Sequence, residues 1–143
     1  MCRSIENERR SRSGDAGLAH GSADRVRRGR VAYHRGLAAE EQVAAAFEGR
    51  GARVLARRWR GGSGEIDLIV GESDCVVFVE IKSARTHQLA AERVGARQLR
   101  RIAGSAVEFL DTQPRGQLTP ARFDVALVDQ QGRIDVLENV LAA

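Results

Sequence analysis

The stretch GEIDLIVGESDCVVFVEIKSA, residues 64–84, decides the fold. Its halves EIDLIVG (65–71) and VVFVEIKSA (76–84) are rich in β-branched and aliphatic residues. The polar break Glu72-Ser73-Asp74-Cys75 between them predicts a β-hairpin. Side chains alternate along a strand, so Ile66, Leu68 and Val70 share one face of the first strand, and Glu65, Asp67 and Ile69 the other. On the second strand Val77, Val79 and Ile81 alternate with Val76, Phe78, Glu80 and Lys82. Pairing Gly71 with Val76 gathers Ile66, Leu68, Val70, Val77, Val79 and Ile81 on one buried face, and a buried face is what fixes register. The same register sets Ile69 against Phe78, Asp67 against Glu80, and Glu65 against Lys82.

Two carboxylates directly opposite one another have Cβ atoms about 4.5–5.5 Å apart. Their repulsion is on the order of 3 kcal/mol at an effective dielectric of about 20. Three arrangements relieve it: one carboxyl keeps its proton, Lys82 and nearby Arg neutralise the pair, or a divalent cation binds between them. Carboxylates with few neutral ligands suit Mg²⁺ or Mn²⁺ and not zinc.

Lys82 is conspicuous for a second reason. Of the 23 basic residues it is the only Lys; the other 22 are Arg. A lysine ammonium is compact and can shift its pKa, whereas an arginine fork stays charged. A lone lysine in so biased a chain marks a place where arginine would fail, and it falls two residues after Glu80.

Working outward, GLAAEEQVAAAFEGR (36–50) reads as a helix from about Arg35, with Gly51 placed to end it. Its apolar stripe runs through Val43, Ala44 and Phe47, and Glu40 lies on that stripe while Glu41 is rotated away. RVLARRWR (53–60) is a short strand candidate, followed by Gly61-Gly62-Ser63-Gly64, read as a flexible loop because it lacks the Lys-Ser/Thr of a phosphate-binding loop. A second helix is expected over Glu92–Asp111, then strands RFDVALV (122–128) and RIDVL (133–137). The order αβββαββ predicts an α/β sandwich, a central mixed β-sheet flanked by helices.

The chain has 143 residues, 43% apolar and 29% charged, which fits one packed domain, here expected over 31–143. No run of 18 apolar residues exists, and the Arg-rich start has no apolar signal region, so a cytoplasmic protein without membrane attachment is expected. Residues 1–30 hold eight Arg against Glu6, Glu8, Asp15 and Asp24, and residues 31–143 hold 15 basic and 15 acidic groups. The net charge of +4 therefore comes from a segment read as a disordered tail, with unspecific attraction to polyanions at most.

Glu40 on an early helix, GEIDLI with Asp67, and FVEIK with Glu80 and Lys82 resemble the E…D…ExK signature of restriction-endonuclease-like, PD-(D/E)xK nucleases. More narrowly, GLAAE (36–40), the Gly51-Ala52 pair, GEIDLIV (64–70), VFVEIK (77–82) and RFDVALV (122–128) resemble the YraN-like family of bacterial endonuclease-like proteins. The likeness spans about residues 35–140. Against the family's habits, Ala39 precedes the helical Glu, Ala84 stands two after the Lys with Arg85 beside it, and Gln98 stands where a Lys is common.

The resemblance implies a metal-dependent nuclease acting on DNA. Asp67, Glu80 and the Ile81 carbonyl would hold Mg²⁺ or Mn²⁺, with Glu40 contacting it directly or through water. Lys82 would orient or help deprotonate the attacking water. Arg57, Arg58 and Arg60, from a cluster that also holds Arg50 and Arg53, together with Arg97 and Arg101 on the second helix, are candidates for phosphate contact. The plainer readings are a solvated arginine face, a surface carboxylate at Glu40, and a cross-strand charge ladder at Asp67, Glu80 and Lys82. Trp59 and Tyr33 are expected in the core rather than stacked on bases, and His20, His34 and His87 are expected to be exposed. The other functional class is a non-catalytic nucleic-acid-binding or protein-interaction module on the same fold. Oligomeric state, sequence preference and substrate form are left open.

Overall fold

The computed structural model describes residues 21–141. The elements run α1 (Gly21–Gly49), β1 (Arg53–Arg60), β2 (Glu65–Glu72), β3 (Cys75–Ser83), α2 (His87–Glu92), α3 (Ala96–Leu110), β4 (Ala121–Val128) and β5 (Ile134–Leu137). They form one five-stranded sheet in the order β1-β2-β3-β4-β5. β1, β2 and β3 are an antiparallel meander; β4 returns parallel to β3 after the α2–α3 crossover, and β5 closes an antiparallel hairpin on β4. The mixed sheet flanked by helices is the α/β architecture expected.

Boundaries differ from expectation in three places. α1 starts at Gly21 rather than near Arg35, so Arg25, Arg27, Arg28 and Arg30 belong to a helix and not to a disordered tail. The rest of the expected tail, residues 1–20, lies outside the described residues, as do His20 and the side chains of Tyr33 and His34. The expected second helix is two: α2, capped by Thr86, whose hydroxyl accepts from the Leu89 N–H at 3.2 Å, and α3, which opens after Gly95. The hairpin turn is only Ser73-Asp74, because the β2–β3 ladder continues to a Glu72–Cys75 pair.

α1 ends where predicted. Gly51 adopts φ +96, the left-handed conformation that favours glycine. Its N–H donates to the Glu48 carbonyl at 3.0 Å while that of Ala52 reaches back to Phe47 at 3.1 Å.

Both faces of the sheet are buried, where the sequence pattern pointed to one. Ala39, Val43, Ala44 and Phe47 of α1 cover Leu68, Val70, Val77 and Val79. On the opposite face Ile102, Ala106, Phe109 and Leu110 of α3 cover Ile69, Val76 and Phe78. Trp59 packs there too, edge-on to Phe109 at 5.5 Å between ring centroids, the core role expected of it. Ile66 belongs to this second layer and not, as alternation required, with Leu68. The alternation fails at Asp67. The register places Arg58 opposite it, and Arg58 carries φ +46, while a bulge lies further along β1 between Val54 and Ala56.

The Gly61–Gly64 segment is anchored, contrary to the flexible loop expected. Gly62 N–H donates to Glu108 at 2.7 Å, and Ser105, fully buried on α3, donates its hydroxyl to the Gly64 carbonyl at 2.7 Å. A Cβ built on Gly61 would lie 2.7 Å from that of Ser105, and one on Gly104 only 2.5 Å from the Ser63 hydroxyl. Glycine is needed at Gly61 and Gly104 because the Ser105 and Ser63 side chains pack directly onto their backbone.

Candidate active site

The β2–β3 ladder supplies the site. The pairs Gly71–Val76, Val70–Val77, Ile69–Phe78 and Leu68–Val79 form in the expected register, and pairing stops there. One residue further on, Asp67 uses its side chain instead: Oδ2 accepts the Ile81 N–H at 2.9 Å. The Asp67 carboxyl is thereby held close enough to that of Glu80 for each to influence the other's ionisation. Glu80 is 4% exposed, and its Oε1 also receives Lys82 Nζ at 3.1 Å and the amide of Gln98 from α3.

Burial, with the Asp67 charge as the second cause, pushes the Glu80 carboxyl up to about 7 despite Lys82. Burial also raises Asp67, opposed by the Ile81 N–H, the Glu80 contact and Lys82. Of the three ways to relieve two facing carboxylates, the structure shows Lys82 set against Glu80, and burial of the pair favours a proton on one carboxyl. The Gln98 amide is neutral and adds hydrogen bonding but no charge compensation. Sequence reasoning noted Gln98 only as a departure from the family's lysine; the geometry makes it a direct partner of Glu80.

A cleft of about 340 Å³ opens over these groups, lined by Glu40 and Ala39 from α1, Glu65, Asp67, Glu80, Ile81 and Lys82 from the hairpin, and Gln98 and Arg101 from α3. Glu40 reaches the cleft but not the pair. Its Oε2 is held by Arg58, with Nη2 at 2.9 Å and Nε at 3.0 Å. Among the described residues no three His, Cys, Asp or Glu side chains come close enough together to hold one ion. The third carboxylate expected at the metal is therefore engaged elsewhere.

The arginine candidates separate in the same way. Arg57 pairs with Glu41 at 2.6 Å and Arg60 with Glu65 at 3.2 Å, so with Arg58 this row is matched by carboxylates. Arg101 lines the cleft, whereas Arg97 is exposed on α3 outside it. His87, expected to be exposed, is half-buried, with Nε2 2.8 Å from the Arg133 carbonyl, and takes no part in the site.

The donor set bears on a hard cation. Asp67, Glu80 and a main-chain carbonyl at Ile81 are oxygen ligands of the kind Mg²⁺ and Mn²⁺ take, and burial raises both carboxyls, a cost that a bound cation would offset. The residues fit such an ion with two carboxylates, and with a third when Glu40 leaves Arg58.

Comparison with known proteins agrees on one family. A profile of the group described as "Uncharacterised protein family UPF0102" matches residues 39–128. A UPF0102 protein of Cereibacter sphaeroides strain KD131 is 55% identical over 115 residues, 80% of this chain and 98% of the relative. Others are 55% identical over 104 residues in Ruegeria pomeroyi, 73% of this chain and 85% of the relative, and 48% over 118 residues in Roseobacter denitrificans, 82% and 92%. The matched span takes in Ala39, Glu40, Asp67, Glu80, Lys82, Gln98 and Arg101 of the cleft.

Proposed function

The chain belongs to the uncharacterised protein family UPF0102, the YraN-like family, and from that premise we propose that it is a metal-dependent nuclease hydrolysing phosphodiester bonds of DNA in the cytoplasm. One observation carries the reading. Two carboxyls and the chain's only lysine converge at the floor of a cleft, with Lys82 3.1 Å from Glu80 and Asp67 locked onto the Ile81 N–H. Mg²⁺ or Mn²⁺ held by Asp67, Glu80 and the Ile81 carbonyl would polarise a phosphoryl oxygen and lower the pKa of bound water.

The chain's own residues have separable tasks. Asp67 and Glu80 supply negative charge that a buried site tolerates only with a proton or a cation present. Asp67 also fixes the spacing of the strand ends through the Ile81 N–H. Lys82 orients the attacking water, or takes its proton, while offsetting charge on the phosphate; an arginine there would keep the charge and lose the proton transfer. Gln98 orients Glu80 through its amide. Arg101 at the cleft wall contacts the scissile phosphate or its neighbour.

A second reading has its own support. The Arg58 grip on Glu40 leaves the site one carboxylate short, which favours a non-catalytic nucleic-acid-binding module on the same fold. Incubation with plasmid, linear, branched and single-stranded DNA in Mg²⁺ or Mn²⁺ discriminates. A nuclease cleaves at least one substrate, EDTA stops it, and Asp67→Asn and Lys82→Arg each lower it by about 100-fold or more. Binding that is indifferent to EDTA, with no cleavage of any substrate, establishes the second reading instead.

A further inference from the structure

We propose that the groove continuing from the carboxylate cleft between α1 and the β3–α2 connection seats a single-stranded phosphodiester chain, so that the substrate is single-stranded or free-ended DNA. The proposal rests on the nuclease reading for what happens in the cleft, but not for the binding itself. The groove measures about 1140 Å³ against about 340 Å³ for the cleft, and the two share Ala39 and Ser83 in their walls. A strand lying in one therefore leads directly into the other.

The walls have the chemistry of a backbone track. Arg27 and Arg28 project from α1, and Arg85 and Arg93 stand on the opposite side. All four are exposed, and among the described residues none forms an ion pair; Arg93 donates only to the Ser83 carbonyl, at 2.9 Å. Arg57, Arg58 and Arg60 are each matched by a carboxylate, whereas the four arginines of the groove keep their charge available to phosphates. Among the described lining residues the opposing acids are Asp24 and Asp129. Asp129 is occupied by Arg133 at 2.7 Å and by the N–H groups of Gln131 and Arg133, which leaves Asp24. Among the described residues one Asp24 oxygen is buried without a hydrogen-bond partner, an acceptor of the kind a base N–H satisfies.

Val31 and Leu89 line the same groove, 43% and 44% exposed, and offer aliphatic surface to sugars and bases. Among the described residues that line the groove none is aromatic, so the contacts on view carry no stacking preference or base readout. Guanidinium groups with aliphatic contact match a sequence-tolerant single strand. A duplex is disfavoured by the recess itself, since the scissile phosphate must descend to carboxyls as enclosed as Glu80.

Fluorescence anisotropy of the full chain with a labelled 12-nucleotide oligothymidylate, in EDTA and across 50–200 mM salt, tests this without cleavage. Four phosphate contacts predict a log–log salt slope of about −3, and affinity for the single strand at least about tenfold above that for a duplex of equal length. Arg27→Glu with Arg28→Glu should weaken binding about 10–100-fold and roughly halve the slope, with an unchanged thermal melt because both side chains are exposed. Arg85→Ala, on the other wall and independent of α1, should weaken it about 3–10-fold. If these variants bind the oligonucleotide within twofold of wild type, or the duplex is preferred, the groove assignment falls even where Mg²⁺-dependent cleavage persists. If they lose the oligonucleotide but no divalent ion supports cleavage, the groove stands and the nuclease reading falls.

Discussion

The change Asp67→Asn tests the electrostatics of the pair directly, because it removes one charge and keeps the shape and the acceptor for the Ile81 N–H. In wild type, burial and the Asp67 charge hold the Glu80 carboxyl at about 7 against an ordinary 4.5. Between those pH values the folded chain therefore binds a proton that the unfolded chain has released, and stability must fall as pH rises. The contribution is complete below about 4.5 and spent above about 7, a difference on the order of 3 kcal/mol. For a domain of this size it corresponds to a drop of about 10 °C in melting temperature between pH 5 and pH 8. Asp124, also raised by burial, tilts the curve the same way, and Asp129 is lowered, since hydrogen bonds to its carboxylate outweigh its burial. Neither touches Asp67, so the difference between wild type and variant isolates the pair. In Asp67→Asn burial still raises Glu80 but the repulsion is gone. The fall should shrink to about half, leaving the variant more stable than wild type at pH 8 by roughly 1–2 kcal/mol. Thermal melts by circular dichroism at pH 5, 6, 7 and 8 in EDTA measure this. A wild-type curve that is flat or rises over the window, or a variant less stable at pH 8 than at pH 5 by the full wild-type margin, refutes the reasoning.

Four further outcomes are expected. At pH 8 Mn²⁺ should raise the melting temperature of wild type but not of Asp67→Asn, because deprotonated Asp67 and Glu80 share the ion; differential scanning calorimetry with and without EDTA reads it. Lys82→Arg should retain oligonucleotide binding in EDTA while cleavage in Mg²⁺ falls by about 10²–10⁴-fold, the usual worth of a positioned proton-transfer group. Arg58→Ala should release Glu40 and tighten Mn²⁺ binding by up to about fivefold in isothermal titration, since a partly exposed ion pair is worth about 0–1 kcal/mol. Arg122→Ala should destabilise the fold by about 3–5 kcal/mol in urea unfolding. Arg122 Nε lies 2.9 Å from fully buried Asp124, whose charge would be left uncompensated.

The hairpin register was legible because side-chain period and buried face over-determine it, and the pairs from Gly71–Val76 to Leu68–Val79 form as the pattern requires. Strand positions and the α1 terminus followed from Gly51 and the aliphatic runs. Three features were not legible, each set by tertiary contact. The failure of alternation at Asp67 depends on Arg58 across the strand pair. The Arg58 hold on Glu40 depends on how α1 lies over β1. The anchoring of Gly61–Gly64 depends on Ser105 and Glu108, more than forty residues away in sequence. At the site, Asp67, Glu80 and Lys82 could be paired from sequence alone, being on adjacent strands, whereas Gln98 comes from α3 and no local pattern points to it. The N-terminal extension of α1 was hidden by composition: an Arg-, Ser- and Gly-rich stretch without an apolar stripe reads as solvated chain, and on the helix those arginines are indeed solvent-facing.

The anchor between Gly61–Gly64 and α3 ties two opposing sides of the cleft to one another: the loop delivers Glu65 and Asp67, and the helix delivers Gln98 and Arg101. With Gly104 seated directly against Ser63, helix and loop are packed together at this end of the cleft. The jaw width is consequently set at folding rather than at encounter. Under the proposed function a bound strand would have to conform to the protein, and discrimination between substrates would reside in which of them can bend to fit.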